Sequence, residues 1–300
     1  MRAFAVVLTL VVASAAPLAP ARLRAQATPP VPPQTLDALL AAAADYLDAY
    51  AKKFSAVVAE EEYTQTMKGP TGTVLLSAQP SHRELRSDVM MLNLGDSDWT
   101  QFRDVYEVDK TAVRDHETRL QRLFESPSAG TMSQAQRLAD ESASYNLGVT
   151  RNINVPTMAL TYLSRGHQAR SKFELAGSDT IEGERAQIVK FRETAVPALI
   201  TSPYGPVAAS GRFWIVPGSG DVMRSELTVV QTSPGRLTGT TSVVYGVAPA
   251  VGLRVPMQMD EEYQRGGSVD RGHATYSNFR AFTVDTKTLK RSGGGGGGGR

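Results

Sequence analysis

Four histidines, His82, His116, His167 and His273, are the side chains best suited to proton transfer or metal binding in this chain. Each stands alone, without a second ligand or catalytic partner at helical or alternating-strand spacing, and each reads as a surface or satisfied side chain. There is no Gly-rich phosphate loop, no H-E-x-x-H helix, no G-x-S-x-G elbow and no S-x-x-K pair. A Ser/His/Asp site can still assemble from distant segments, so an exported hydrolase with a non-contiguous site stands as an alternative reading. Asp96-Ser97-Asp98-Trp99-Thr100, continuing to Asp104 and Glu107, places oxygen ligands at calcium-loop spacing. Gln101 stands where the tight turn of such a loop needs glycine, and Phe102 to Val108 alternates like a strand. A capped turn leading into a half-buried strand is the reading adopted, with no metal and no cofactor expected.

Glu60-Glu61-Glu62 is an acidic run. Carboxylates whose pKa values are driven apart by burial can share acid and base roles. On a strand, Glu60 and Glu62 share one face and Glu61 takes the other, beside Val57, Ala59 and Tyr63. A solvated face accounts for the first two. Glu61 calls for an arginine, with Arg86 and Arg280 the candidates, and such a pair is more often structural than catalytic. Glu61-Glu62-Tyr63 is echoed by Glu261-Glu262-Tyr263, an echo too short and aperiodic to establish a repeat. Met67, Met91, Met257 and Met259 fall on apolar strand faces, where flexible thioethers suit either an adaptable cavity or ordinary core packing. Val255, Met257 and Met259, on one face of one segment, are the expected lining of an apolar ligand site.

These side chains need elements to position them. Leu36, Leu39, Leu40, Ala43, Leu47, Tyr50 and Phe54 recur at helical spacing behind the capping Thr35, predicting a helix from Leu36 to about Phe54. From Val57 the period is two, and strands are predicted to Met67, over Leu85 to Leu94, and through Phe102, Tyr106 and Val108, joined by turns at Gly69–Gly72 and Gly95–Asp98. Met132 to Asn146 reads as a helix with Leu138 and Ala139 facing inward and Gly148 beyond its end. Val155 to Leu163 reads as a short helix with Pro156 in its first turn. Strands resume at Ala169–Leu175, Ala186–Glu193, Arg212–Val216, Val222–Gln231, Thr240–Val247, Leu253–Tyr263 and Ala274–Val284. Pro256 marks an edge or a bulge in the last but one.

Composition sets the compartment and removes some chemistries. Met1-Arg2, the apolar Phe4 to Ala16 and the Ala25-Gln26-Ala27 site predict a signal peptide over residues 1–27, hence a periplasmic or secreted protein with no membrane span after cleavage. Residues 28–34 form a Pro-rich linker, and residues 286–300 a Gly-rich tail that cannot pack. A net charge of +2 with no basic stripe argues against nucleic acid as partner. With no cysteine there is no disulfide, no thiol catalysis and no lipidated anchor, so the fold depends on its core.

Phe213-Trp214-Ile215-Val216-Pro217-Gly218-Ser219-Gly220-Asp221-Val222, with the return strand Met223 to Leu227, forms a hairpin pattern. Together with Leu253-Arg254-Val255-Pro256-Met257 and Tyr276 to Phe282, it resembles the periplasmic lipoprotein-localisation carriers and the sigma-factor regulator related to them, the LolA/RseB-like half-barrels. The resemblance runs through residues 36 to 285 in order. It implies a mainly β (α+β) fold: a strongly curved, unclosed antiparallel sheet with helices plugging its concave apolar face. One domain over residues 35–285 is expected, with an N-terminal helix and two helices inserted midway near residues 132–164. The resemblance carries no catalytic residues. It implies a non-enzymatic binding protein holding a lipid, acyl chain or apolar partner segment on the concave face. An envelope sensor or scaffold binding a protein by strand addition is a further alternative.

Overall fold

The computed structural model describes residues 34–53, 56–69, 81–93, 99–116, 118–128, 130–151, 153–202, 204–233 and 235–282. The expected signal segment, the Gly-rich tail, most of the linker and the Gly95–Asp98 turn lie outside them. Helix α1 (Leu36–Lys53) starts at Thr35, whose hydroxyl accepts the Ala38 N–H at 3.3 Å, and buries Leu39, Ala43, Leu47 and Tyr50 along one stripe. A meander follows: β1 (Ala56–Lys68), β2 (His82–Asn93), β3 (Trp99–Val108) and the two-residue β4 (Thr111–Ala112). Helices α2 (Arg119–Glu125) and α3 (Thr131–Ala143) come next, then an irregular segment with a 3-10 turn at Met158–Leu163.

The second half is β5 (Ser171–Ile181), β6 (Glu184–Glu193), the small hairpin β7 (Ile200–Ser202) and β8 (Gly205–Val207), β9 (Ala209–Ile215), β10 (Val222–Gln231), β11 (Leu237–Ala248), β12 (Leu253–Arg265) and β13 (Ser268–Phe282). All but β7 and β8 belong to one 11-stranded antiparallel sheet in the order β4-β3-β2-β1-β13-β12-β11-β10-β9-β6-β5. The two halves meet where the last strand, β13, pairs with the first, β1, from Ala56 opposite Phe282 to Lys68 opposite Val269. The ends β4 and β5 do not pair, so the curved sheet is an open half-barrel, as expected from the sequence.

The principal core lies on the inner face. Val57, Ala59 and Tyr63 of β1, Met91 of β2, Phe213 of β9, Val243 of β11 and Met259 of β12 share one core there with the buried face of α1. Alternation places every second residue inward and leaves the outer face largely polar. Where the pattern breaks, a bulge is responsible. The β2–β3 register slips between Arg86 and Ser87, which leaves Tyr106 unpaired, so Phe102 faces outward while Val105 and Val108 join the inner core. Pro256 sits at a second slip: Val244 faces Gln258 and Tyr245 faces Pro256, leaving Met257 without a partner. β12 is therefore a bulged central strand, not an edge.

The inserted helices differ in place from the expectation. α2 and α3 bury Leu120, Phe124 and Ala135 against Val58, Met90, Leu92 and Phe102, which is the outer face of β1–β3. The concave face is covered instead by α1 and by residues 145–163, a strap running across the strands from the β2 side to the β6 side. The expected second helix within this strap is only the 3-10 turn Met158–Leu163. Its Ala159, Leu160, Tyr162 and Leu163 are buried in the inner core.

Candidate functional site

The strap is fixed strand by strand. Arg83 of β2 donates to the Tyr145 carbonyl at 2.7 Å, and the Gln65 side chain of β1 donates to the Asn146 side-chain oxygen (2.6 Å) and accepts the Leu147 N–H (2.7 Å). Gly148 turns the chain at φ +73°, and a Cβ there would fall on the Asp270 carboxylate and within 2.9 Å of the Met67 sulfur. The Val149 N–H then donates to Asp270 of β13 at 3.1 Å. Further on, Thr241 of β11 donates to the Ile153 carbonyl (3.1 Å) and Tyr245 to that of Pro156 (2.7 Å), while Tyr162 donates to Glu193 of β6 at 3.3 Å.

At the centre of this crossing lies a buried charge network. Glu61 takes a bidentate pair from Arg103 of β3 (2.6 and 2.8 Å) and the Ser87 hydroxyl at 2.8 Å. Glu261 on β12 meets Arg151 of the strap and accepts from the Tyr63 and Tyr263 hydroxyls, the latter at 3.0 Å. The sequence candidates for Glu61, Arg86 and Arg280, are engaged elsewhere. Arg86 lies near Glu62 and Glu107, and Arg280 near Asp88 and Glu60, all on the outer face or rim. The partner on the inner face comes from a strand two places away, which spacing along one strand cannot reveal. Burial pushes the Glu261 carboxyl up to about 8, against the pull of the Tyr263 hydroxyl. Gly272 on β13 makes room for this cluster: a Cβ there would strike the Glu261 carboxylate and lie 2.7 Å from the Tyr63 ring. The two carboxylates are buried, and Glu261 pins the strap to β12 through Arg151.

At one end of the half-barrel, the strap leaves open space. A cleft of about 460 Å³ lies between strap residues Gly148–Thr150, the β7–β8 hairpin and the ends of β10, β11 and β12. Ile200, Val207, Val229, Leu237 and the Tyr263 ring give it apolar walls, with Thr150, Ser202, Gln231 and Arg265 as its polar members. This volume falls within the roughly 300–1,000 Å³ of small-molecule sites. A second recess of about 330 Å³, on the other side of the strap, shares Gly148, Val149, Tyr263 and Arg265 and adds Met67, Lys68, Ser268 and Asp270.

The β7–β8 hairpin is the outer wall of the cleft and is held at its base by one side chain. Glu193 accepts the N–H of Leu199 (2.9 Å) on the entry side and that of Ala209 (3.2 Å) on the exit side. Ile200 and Val207 point into the protein, while Tyr204 at the tip is two-thirds exposed. The Pro-Tyr-Gly turn signal flanked by Ile200 and Val207 was present in the sequence but spans too few residues to show a strand period.

Val255 and Met259 are fully buried in the inner core and line neither the cleft nor its second recess. Met257 does not share their face. The bulge turns it outward, 36% exposed, with its side chain over Gly246. Of the other methionines, Met91 is core and Met67 lines the second recess.

The constellations sought for chemistry are not assembled among the described residues. His82 meets Glu84, His116 meets Asp88 and stacks on Tyr106, His167 meets Ser164, and His273 meets Asp260 at 2.7 Å on the outer face. Among the described residues, no serine hydroxyl bonds to a histidine that also holds a carboxylate. Asp104 and Glu107 of the calcium-like run are engaged by Arg114, Arg119 and Arg86, and no group of three metal-ligating side chains occurs among the described residues. The edge strand β5 carries Lys172, Glu174 and Asp179 and a bulge at Gly177 (φ +112°), devices that blunt strand addition.

No family model matches the chain, and no curated protein matches it. The chain is similar in structure to an outer membrane lipoprotein-sorting protein domain, so described, from Vibrio parahaemolyticus, at 8% identity over 83% of this chain and 98% of that one (TM-score 0.38). It is similar to a DUF1329 family protein from Desulfovibrio piger at 13% identity over 83% and 96% (TM-score 0.33). A third is the lipoprotein LppX of Mycobacterium tuberculosis, at 13% identity over 84% and 100% (TM-score 0.29). No described helix is long and apolar enough to cross a membrane.

Proposed function

We propose that this is an exported, non-enzymatic binding protein that holds an acyl chain or another apolar segment in the cleft between strap and hairpin. The observation that supports this most is the contrast within the half-barrel. Its concave centre is filled by the protein's own strap and α1, yet an apolar-walled cleft stays open at the end where Gly148 turns the strap. Export rests on the signal pattern over residues 1–27. The ligand site is accordingly moved from Val255 and Met259, which are core, to Ile200, Val207, Val229 and Leu237.

Titration with a dansyl-labelled fatty acid tests this reading. The wild type should enhance the dye's fluorescence in a saturable way. Leu237→Trp, which fills the cleft, should weaken binding at least about tenfold, the equivalent of roughly two lost methylene burials. Absent binding, or binding unchanged by Leu237→Trp, contradicts it.

A further inference from the structure

We infer that the occupant of this cleft is an anionic lipid, with its chain against Ile200, Val229 and Leu237 and its headgroup at Arg265 and Lys68. The inference rests on the reading of the cleft as an apolar-chain site and adds the charge of the ligand.

Arg265 lines both the cleft and the second recess, and Lys68 lines the recess. Both are exposed, and neither has an ion-pair partner among the described residues. Among the other arginines, Arg212 is engaged by Glu226, Arg254 by Glu184 and Arg271 by Glu262, while the exposed Arg137, Arg185 and Arg192, likewise without an ion-pair partner among the described residues, line neither space. Among the described residues, Asp270 is the one acid lining either space, and it is buried and already accepts the Val149 N–H.

The register brings these cations together. Arg265 faces Leu237 on β11 and Ser268 on β13, and Lys68 on β1 faces Val269. Arg236, exposed and next to Leu237, adds a third cation at the same strand ends. The described residues of the connections at this end, 69, 81, 204, 232–233, 235–236 and 266–267, include no Asp or Glu. Farther along the same end, Asp109 and Glu84 are balanced by Arg83 and Lys110. Apolar walls beneath an unopposed guanidinium and ammonium match a molecule with a hydrocarbon chain and a carboxylate or phosphate head. Neutral or cationic amphiphiles lack that complement.

Isothermal titration of the purified protein with dodecanoate, dodecanol and dodecyltrimethylammonium, all below their aggregation concentrations, tests the inference. Dodecanoate should bind about tenfold more tightly than dodecanol, by the worth of one charge-assisted contact, and the cation should bind most weakly. The preference should shrink as salt is raised. In K68Q/R265Q, dodecanoate should bind no more tightly than dodecanol does to the same variant. Acetate at matched concentration should not compete, because the chain supplies most of the binding. Equal binding of dodecanoate and dodecanol to the wild type, a preference retained in the double variant, or full competition by acetate would overturn the inference and leave the cleft intact as an apolar site. If no chain binds at all, the cleft reading falls with it.

Discussion

Two carboxylates, Glu61 and Glu261, hold the inside of this molecule together, and they do so in different ways. Glu61 relies on the bidentate Arg103, and a buried carboxylate stripped of such a partner typically loses about 3–5 kcal/mol. Arg103→Met should therefore lower stability by roughly that amount, measured by urea denaturation. Glu261, lifted to about 8 by burial, binds its proton more tightly in the folded chain than at the ordinary 4.5 of the unfolded one. Its stabilising contribution is full below about pH 4.5 and is lost as pH rises through about 8. Glu261→Gln should flatten the fall in denaturation midpoint across that window, and an unchanged slope would refute the assignment. Gly272→Ala, which forces a methyl against Glu261 and Tyr63, should cost about 1–3 kcal/mol through overpacking. Of these residues, the sequence revealed that Glu61 faces inward, because alternation on a strand is local. It could not reveal Arg103, Arg151 or Gly272 as neighbours, because those contacts arise from register between distant strands.

Among the elements, the strap behaves unlike an ordinary loop. Its Leu147 and Val149 N–H groups donate to the buried side chains of Gln65 and Asp270, although neither residue is in a helix or strand. In native-state hydrogen exchange both amides should be protected well beyond those of the exposed edge strand β5. Exchange at β5 rates would show that the strap is not fixed as described. Most strands were legible, and Val222–Gln231 matches to the residue, because alternating patterns over long strands are strong signals. In the strap, the sequence predicts a short helix over Val155 to Leu163 and no element between Gly148 and Val155. The strap's apolar residues are spaced to meet successive strands rather than by any helical or strand period. The helices α2 and α3 carried apolar faces that showed burial but not which face of the sheet they would meet.

Across the whole molecule, the β1–β13 seam is what makes one sheet from two meanders. Seam, strap and α1 share one inner core, so thermal unfolding followed by near-UV and far-UV circular dichroism should give coincident single transitions. Separate transitions for the two halves would mean that the seam couples them weakly. The half-barrel was foreseen from the order of elements, but its contents were not. Where a concave binding face was expected around Val255, Met257 and Met259, the chain fills the concavity with its own strap, and an apolar-walled cleft stays open beside it. Whether that space is the binding site can be read from methyl chemical shifts. On addition of dodecanoate, the methyls of Ile200, Val207, Val229 and Leu237 should shift together in a saturable way while those of Val255 and Met259 stay fixed. Shifts at Val255 and Met259, or none at the four cleft residues, would contradict the account.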